Sequence, residues 1–370
     1  MRGTVVVLVA PRQTALHTYD VAGPGSGEVL LEVVRANVCG SELHIWRGHH
    51  PTVKMGSVLG HEMLGRVLTL GAGVETDYAG AALRPGDRVV CAYFITCRKC
   101  PACQAGRFNL CVNCYRHWSQ PADTPPHFHG AFGTHYYIHP DQYFYRVPEE
   151  IPDAAAASAN CALSELLFAL DQAGVVSGEQ VVVQGAGGLG LCALAVAKAR
   201  GARTIVIDGV PGRLELAHRF GADVVIDFRE HDTPEERAAR VAALTGGVGA
   251  DVAVEVTGVP AAFAESIHLV RPGGRVVELG NISPGHLTPF DPGTLTRRGV
   301  QILPAIRYHP WYLKRALDFL AATRGRYPFE ALLDAEYALR DVGRALEDSD
   351  QRRVTRASLV MGRSGPKEGS

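Results

Sequence analysis

VVVQGAGGLGLCALAVAKARGARTIVID, residues 181–208, reads as strand, turn, helix and strand in succession. Val181–Val183 is a β-branched run that suits a buried strand. Gly185, Gly187 and Gly190 then stand in G-x-G-x-x-G register. Leu189 to Arg200 is rich in Ala and Leu, a helix that Gly201 ends, and Gly188 and Leu189 at the turn are cofactor-binding candidates. The apolar run Thr204–Ile207 follows and carries Asp208 at its end. In such a unit the first glycine permits the tight turn and the second lets backbone approach a pyrophosphate. The third lets helix pack on strand. The helix N-terminus offers unpaired N–H groups to phosphate, and an acid on the second strand accepts both ribose hydroxyls, which favours NAD. A dinucleotide site is the expectation.

Outward from this unit the chain alternates. Strands are expected at 181–184, 204–208, 223–226, 251–256, 275–279 and 299–303, with helices at 213–220 and 234–244 between them. That pattern predicts an α/β domain with a doubly wound parallel sheet over 162–304. The N-terminal part is strand-rich and punctuated by turns, as in Glu28–Val34, Met63–Leu70 and Asp87–Ala92. The C-terminal part carries helices at 310–323 and 341–347 and a strand at 354–361. Unlike ends around a nucleotide domain suggest one second domain built from 1–161 and 305–363, with 364–370 a flexible tail. At 370 residues the chain exceeds one compact core. A net charge of -1 gives no electrostatic reason to expect nucleic acid or an anionic membrane as partner. No apolar run reaches the length of a membrane span, and Val5–Ala10 suits an opening strand better than a signal peptide, so a cytoplasmic protein is expected.

Nine cysteines in a cytosolic chain of this size argue for metal rather than disulfides. Cys97, Cys100, Cys103 and Cys111 form C-x2-C-x2-C-x7-C, four thiolates able to close a tetrahedral shell around a structural zinc. Cys114 is a competing fourth ligand, and Cys111 is preferred. Separately, Cys39 lies in VCGSELH, His61 and Glu62 in GHE, and Cys161 in ANCALS. One histidine and two cysteines suit a zinc that keeps its fourth position open for chemistry.

With these motifs the chain resembles the zinc-dependent medium-chain dehydrogenases/reductases, the alcohol dehydrogenase superfamily, over about residues 1–362. The resemblance implies a GroES-like, β-rich catalytic domain beside the Rossmann domain, two zinc ions per chain and a homodimer or homotetramer. It implies Cys39, His61 and Cys161 as ligands of the catalytic zinc, with Glu62 the acid beside the histidine. Ser41 resembles the hydroxyl that contacts substrate oxygen, and His44 the outer end of its proton relay. Arg213 resembles a basic residue near the adenosine ribose, Thr257 and Gly280 mark loops on the nicotinamide side, and Arg356 resembles an arginine that meets the pyrophosphate. Glu42 departs from the family's usual Asp, which puts the reach of this histidine partner in question.

The implied reaction is hydride transfer between an alcohol and NAD, giving an aldehyde or ketone. Rivals are an NADPH-linked carbonyl reductase of the same fold and a zinc hydrolase or lyase with a structural dinucleotide. The run Val112–Pro126 is expected to be exposed. Trp118–Tyr137, with His127-Phe128-His129 inside it, is expected to line or cover the substrate pocket rather than bind metal. Arg307, Tyr308, His309 and Trp311 are further expected to border that region.

Overall fold

The computed structural model describes residues 1–50 and 52–362; residue 363 and the tail expected at 364–370 lie outside them. The chain divides into two units. One comprises Met1–Ser164, His309–Arg324 and the chain from Phe329 onward, and the other Glu165–Tyr308 with Gly325–Pro328. The boundaries thus fall three or four residues beyond those expected at 161 and 304. Residues 325–328 return to the second unit, where Tyr327 stacks on Phe220 with ring centroids 6.4 Å apart.

The second unit is a six-stranded sheet in the order Val224–Asp227, Arg203–Asp208, Gln180–Gln184, Ala250–Glu255, Val270–Glu278, Gln301–Pro304. Every pairing is parallel. The order reverses between Gln180–Gln184 and Ala250–Glu255, and ligands of such sheets bind outside the carboxyl ends of the strands at that switch point. The central strands are buried on both faces, Val181–Val183 completely, which is why they read as unbroken apolar runs. The helix Pro234–Leu244 starts where it does because Thr233 Oγ1 accepts from Glu236 N at 3.2 Å while Glu236 accepts from Thr233 N at 3.3 Å. The helix Pro211–Arg219 begins two residues earlier than its periodicity suggests, with Pro211 in the first turn, where a missing N–H costs nothing.

The first unit holds a seven-stranded sheet. Six strands run in the order Ala335–Tyr337, Ala357–Val360, Val29–Asn37, Glu62–Leu70, Arg88–Cys91, Phe144–Arg146, and His135–Ile138 also pairs with Val29–Asn37. Ser358 pairs with Asn37 and Val360 with Arg35, so both ends of the chain enter one sheet. Its core gathers Leu31, Val33, Met63, Val89, Phe132 and Leu359, joined from the C-terminal helix Val342–Asp350 by Ala345 and Leu346. The expected exposure of Val112–Pro126 holds in part: Val112, Arg116, Pro121, Asp123 and Pro125 are exposed, whereas Cys114, His117, Trp118 and Ala122 are buried. Turns within that run direct these side chains inward, and Trp118 joins the core.

Candidate metal centres and dinucleotide turn

Cys39, His61, Glu62 and Cys161 each bring a ligand atom to one place, all within 4.8 Å of one another. Three separate elements supply them. Cys39 caps the helix Gly40–Trp46, His61 directly precedes the strand Glu62–Leu70, and Cys161 sits in the π-helical turn Ala159–Leu163. Such turns are inserted into helices where a site needs one side chain re-aimed. Asn160 pins this one, its Nδ2 donating to the carbonyls of His61 at 3.1 Å and Cys91 at 3.0 Å.

The spacing suits zinc. The two sulfurs lie 4.0 Å apart and His61 Nε2 is 3.4 Å from Cys161 Sγ. A tetrahedron with zinc–sulfur bonds of about 2.3 Å has sulfur–sulfur edges of about 3.8 Å. The Nδ1–H of His61 donates to Glu42 Oε1, which turns Nε2 toward the sulfurs. Glu42 therefore reaches the histidine despite its extra methylene. Its other oxygen accepts from Cys39 N at 2.9 Å, so one buried carboxylate orients two members of the set. Burial opposes charge on His61, but the Glu42 carboxylate outweighs it and holds the imidazole well above its usual pKa. The hydrogen bond with Cys161 leads in holding Cys39 well below the ordinary thiol value, against burial. Glu42→Gln keeps the shape and removes the charge. Partners of this kind contribute about 10–100-fold, so zinc affinity should fall by about that factor, as competition with a chromogenic chelator would read.

Arg356 is 5% exposed and donates through Nη2 to Glu62 Oε1. The residue expected at the pyrophosphate thus holds the acid of the metal pocket. Burial pushes Glu62 up to about 8 against the pull of that guanidinium. Ser41 and His44 lie three apart on the helix Gly40–Trp46, one turn and one face.

The second cluster is Cys97, Cys100, Cys103 and Cys111, again with ligand atoms within 4.8 Å of one another. Cys100 N donates to Cys97 Sγ and Cys97 N to Cys111 Sγ, both at 3.4 Å. These N–H groups favour thiolate, and Asn113 leads in holding Cys97 down to about 6. Cys114 is buried outside the four.

The H-x-H pair is engaged elsewhere. His127 donates to Ala122 O at 3.1 Å and stacks on Tyr19 with centroids 4.1 Å apart, while His129 donates to Thr124 O at 3.1 Å. At the start of the Trp118–Tyr137 run, Trp118 lies 5.3 Å from the His61 ring. His309 and Trp311 stack on each other and meet Phe108 of the cysteine lobe at 6.2 and 5.8 Å.

In the second unit the glycine turn has the expected form. Gly185 has φ +98°, and a Cβ on Gly190 would lie 1.8 Å from the Gly185 carbonyl oxygen. Gly187 caps the helix Gly188–Ala199, and the space above its Cα is open to within 4.0 Å of Arg213 Nη1. Gly188 and Leu189 remain partly exposed at the helix start.

Asp208 is tied into its own turn. Its Oδ2 accepts from Ala186 N at 2.7 Å, and Oδ1 accepts from Gly209 N at 2.7 Å and Val210 N at 2.9 Å. A carboxylate offers about four acceptor sites. Three are used here, which leaves one rather than a pair for ribose hydroxyls.

Thr257 N donates to Glu255 Oε1 at 2.6 Å, and a Cβ on Gly280 would fall 2.6 Å from Gly258 N, so these two loops touch. Glu255 and Glu278 stand opposite each other in register, joined by Asn281 Nδ2, which donates to both at 3.0 Å. Burial first, then Glu278, pushes Glu255 up to about 7. Sequence reasoning missed this carboxyl pair; its one signal is an acid closing each of two apolar strands, VAVE and RVVE.

Comparison with known proteins gives the class. Residues 25–149 match the alcohol dehydrogenase GroES-like domain and residues 188–322 match the zinc-binding dehydrogenase domain. The chain belongs to the zinc-dependent alcohol dehydrogenases of the medium-chain dehydrogenase/reductase superfamily. It is 34% identical over 345 residues to the 5-exo-hydroxycamphor dehydrogenase of Pseudomonas putida, covering 92% of this chain and 94% of that one. A solved alcohol dehydrogenase from Thermotoga maritima superposes with a TM-score of 0.91 at 29% identity, over 98% of this chain and 100% of that one. A putative zinc-binding dehydrogenase from Sinorhizobium meliloti, solved with NADP bound, gives 0.84 at 25% identity, over 97% and 99%. The activity is that of a zinc-dependent alcohol oxidoreductase. No helix among the described residues is long and apolar enough to cross a membrane.

Proposed function

We propose that the chain oxidises an alcohol to its aldehyde or ketone with NAD as hydride acceptor, and that it binds two zinc ions. The catalytic ion is assigned to Cys39, His61 and Cys161, and the structural ion to Cys97, Cys100, Cys103 and Cys111. The observation that carries this reading is the meeting of two sulfurs and one imidazole nitrogen at 4.0 and 3.4 Å, with the other nitrogen held by Glu42.

When bound, zinc supplies a Lewis acid for the substrate oxygen and the nicotinamide an acceptor for the carbinol hydrogen and its two electrons. The chain's own residues do the rest. Glu42 fixes the His61 tautomer and keeps Nε2 on the metal side. Ser41 takes the hydroxyl proton and passes it toward His44, the outer end of the relay. Arg356 holds the Glu62 carboxyl group beside the ligands. Gly187 and the first turn of Gly188–Ala199 hold the pyrophosphate, as open backbone N–H groups at a helix start do. Thr257 and Gly280 position the loops on the nicotinamide side. Asp208 offers its remaining acceptor site to one ribose hydroxyl, and its charge opposes a 2′-phosphate there.

Steady-state turnover with each cofactor, followed at the nicotinamide absorbance band, tests this. NAD is expected to exceed NADP in kcat/KM by more than about tenfold, or about 1.4 kcal/mol. Metal analysis is expected to approach two zinc ions per chain. Equal or better use of NADP would mean that Asp208 does not read the ribose, and full activity without metal would end the zinc mechanism.

A further inference from the structure

One side of the metal pocket is walled by rings. Tyr93 packs edge-on against His61 with centroids 4.8 Å apart, and Trp118 lies 5.3 Å from the same imidazole. A second row backs the first. Tyr115 meets Trp118 at 5.7 Å and Tyr93 at 6.5 Å, and His50 meets Trp118 at 6.4 Å and Tyr115 at 6.1 Å. The rings come from three separate segments: the loop before His61, the chain just after the strand Arg88–Cys91, and the run after the cysteine lobe. Their convergence on one zinc ligand is therefore tertiary and not a run of local composition. Tyr93 and Trp118 are buried, while Tyr115 and His50 keep part of their surface exposed.

The rings of the wall carry no charge of their own. His50 Nδ1 accepts from Thr52 N at 3.2 Å and Val53 N at 2.9 Å, and a ring nitrogen that accepts carries no proton. An aromatic substituent meeting such a surface gains burial and edge-to-face contact. A chain of hydroxyls, or an ammonium and carboxylate, would give up several water contacts there for one unpartnered buried donor, Trp118 Nε1.

We propose that the alcohol oxidised at this site carries an aromatic ring on its carbinol carbon, that this ring rests against Trp118 and Tyr93, and that Trp118 determines the specificity. The proposal rests on the dehydrogenase reading above and adds the substrate class. The redox step is unchanged: the carbinol hydrogen and its two electrons go to the nicotinamide, the hydroxyl proton leaves to solvent, and C=O replaces CH–OH.

The test compares benzyl alcohol, ethanol, sorbitol and L-threonine, each with NAD and with NADP, on the zinc-loaded enzyme. Benzyl alcohol is expected to show the highest kcat/KM, by at least about tenfold. Trp118→Ala is expected to lower the benzyl alcohol to ethanol ratio by about tenfold or more, and Trp118→Phe to keep it within about threefold. If the alanine variant does not fold, Tyr115→Ala, at a partly exposed position, reads the same ratio with an expected fall of about threefold. Benzyl alcohol binding is read independently by quenching of tryptophan emission. Preference for ethanol, sorbitol or threonine, or a ratio unchanged in the folded variants, would overturn the substrate class and leave the dehydrogenase standing. Absence of quenching would do the same. Quenching without turnover of any of the four alcohols would support the ring site and bring down the dehydrogenase reading alone.

Discussion

Cys39→Ala lowers kcat/KM by at least about 10³-fold and removes one of two zinc ions, while circular dichroism and the thermal transition stay close to the parent. A Lewis acid at the substrate oxygen is worth several kcal/mol, and 10³-fold corresponds to about 4 kcal/mol. The fold survives because half of the capping box remains: the sulfur's contact with the Glu42 N–H is lost, but the backbone N–H of residue 39 still meets the Glu42 carboxylate at the start of the helix Gly40–Trp46. Metal analysis and turnover are read on the same sample. Two zinc ions retained with activity lost would mean that Cys39 acts by some route other than ligation. One zinc lost with activity kept would separate the metal from the chemistry.

Cys100→Ser shows the opposite profile, a large loss of stability. The four cysteines bracket a lobe whose regular structure among the described residues is two short turns, Pro101–Gln104 and Phe108–Leu110. Little apolar burial is available to hold such a segment, and a structural zinc contributes folding free energy directly. A loss of about 4 kcal/mol corresponds to a fall in Tm of about 8–16 °C for a unit of this size. Calorimetry of the zinc-loaded protein measures it, with a colorimetric chelator counting the released ion. An unchanged Tm with two zinc ions retained would remove the lobe from the metal assignment.

What the chain disclosed before any coordinates was local chemistry. The glycine turn and the spacing of Cys97 to Cys111 are each readable because the residues that act together are close in sequence. The catalytic set was legible only through resemblance, since Cys39 and Cys161 lie 122 positions apart. Features fixed by strand register or by packing were not legible. Nothing near Glu255 shows that Glu278 stands opposite it, and nothing near Trp118 shows that it faces His61. Asp208 was placed correctly at the end of its strand, but its three backbone partners are a property of the folded turn. The same limit bears on redesign. Exchanging Gly209 for arginine to recruit a 2′-phosphate would drive a Cβ to 2.4 Å from the Phe228 ring, so that ring must be reduced in the same variant.

The pairing of Arg356 with Glu62 spans 294 positions. On the ribosome this separation becomes a delay. At about 5–20 residues per second, roughly 15–60 s pass between synthesis of the acid and synthesis of its cation. The second unit, continuous from Glu165 to Tyr308 apart from residues 325–328, emerges almost whole within that interval. Arg35–Asn37, meanwhile, waits with one side of its backbone open until Ser358–Val360 arrives. A nascent chain therefore carries Cys39, His61 and Cys161 early, beside a Glu62 still without its cation and an open strand edge of the kind that pairs with neighbouring chains. The hazard to this protein lies in that interval of its own synthesis, and the proposed zinc, captured early by Cys39, His61 and Cys161, would hold those three residues together through it.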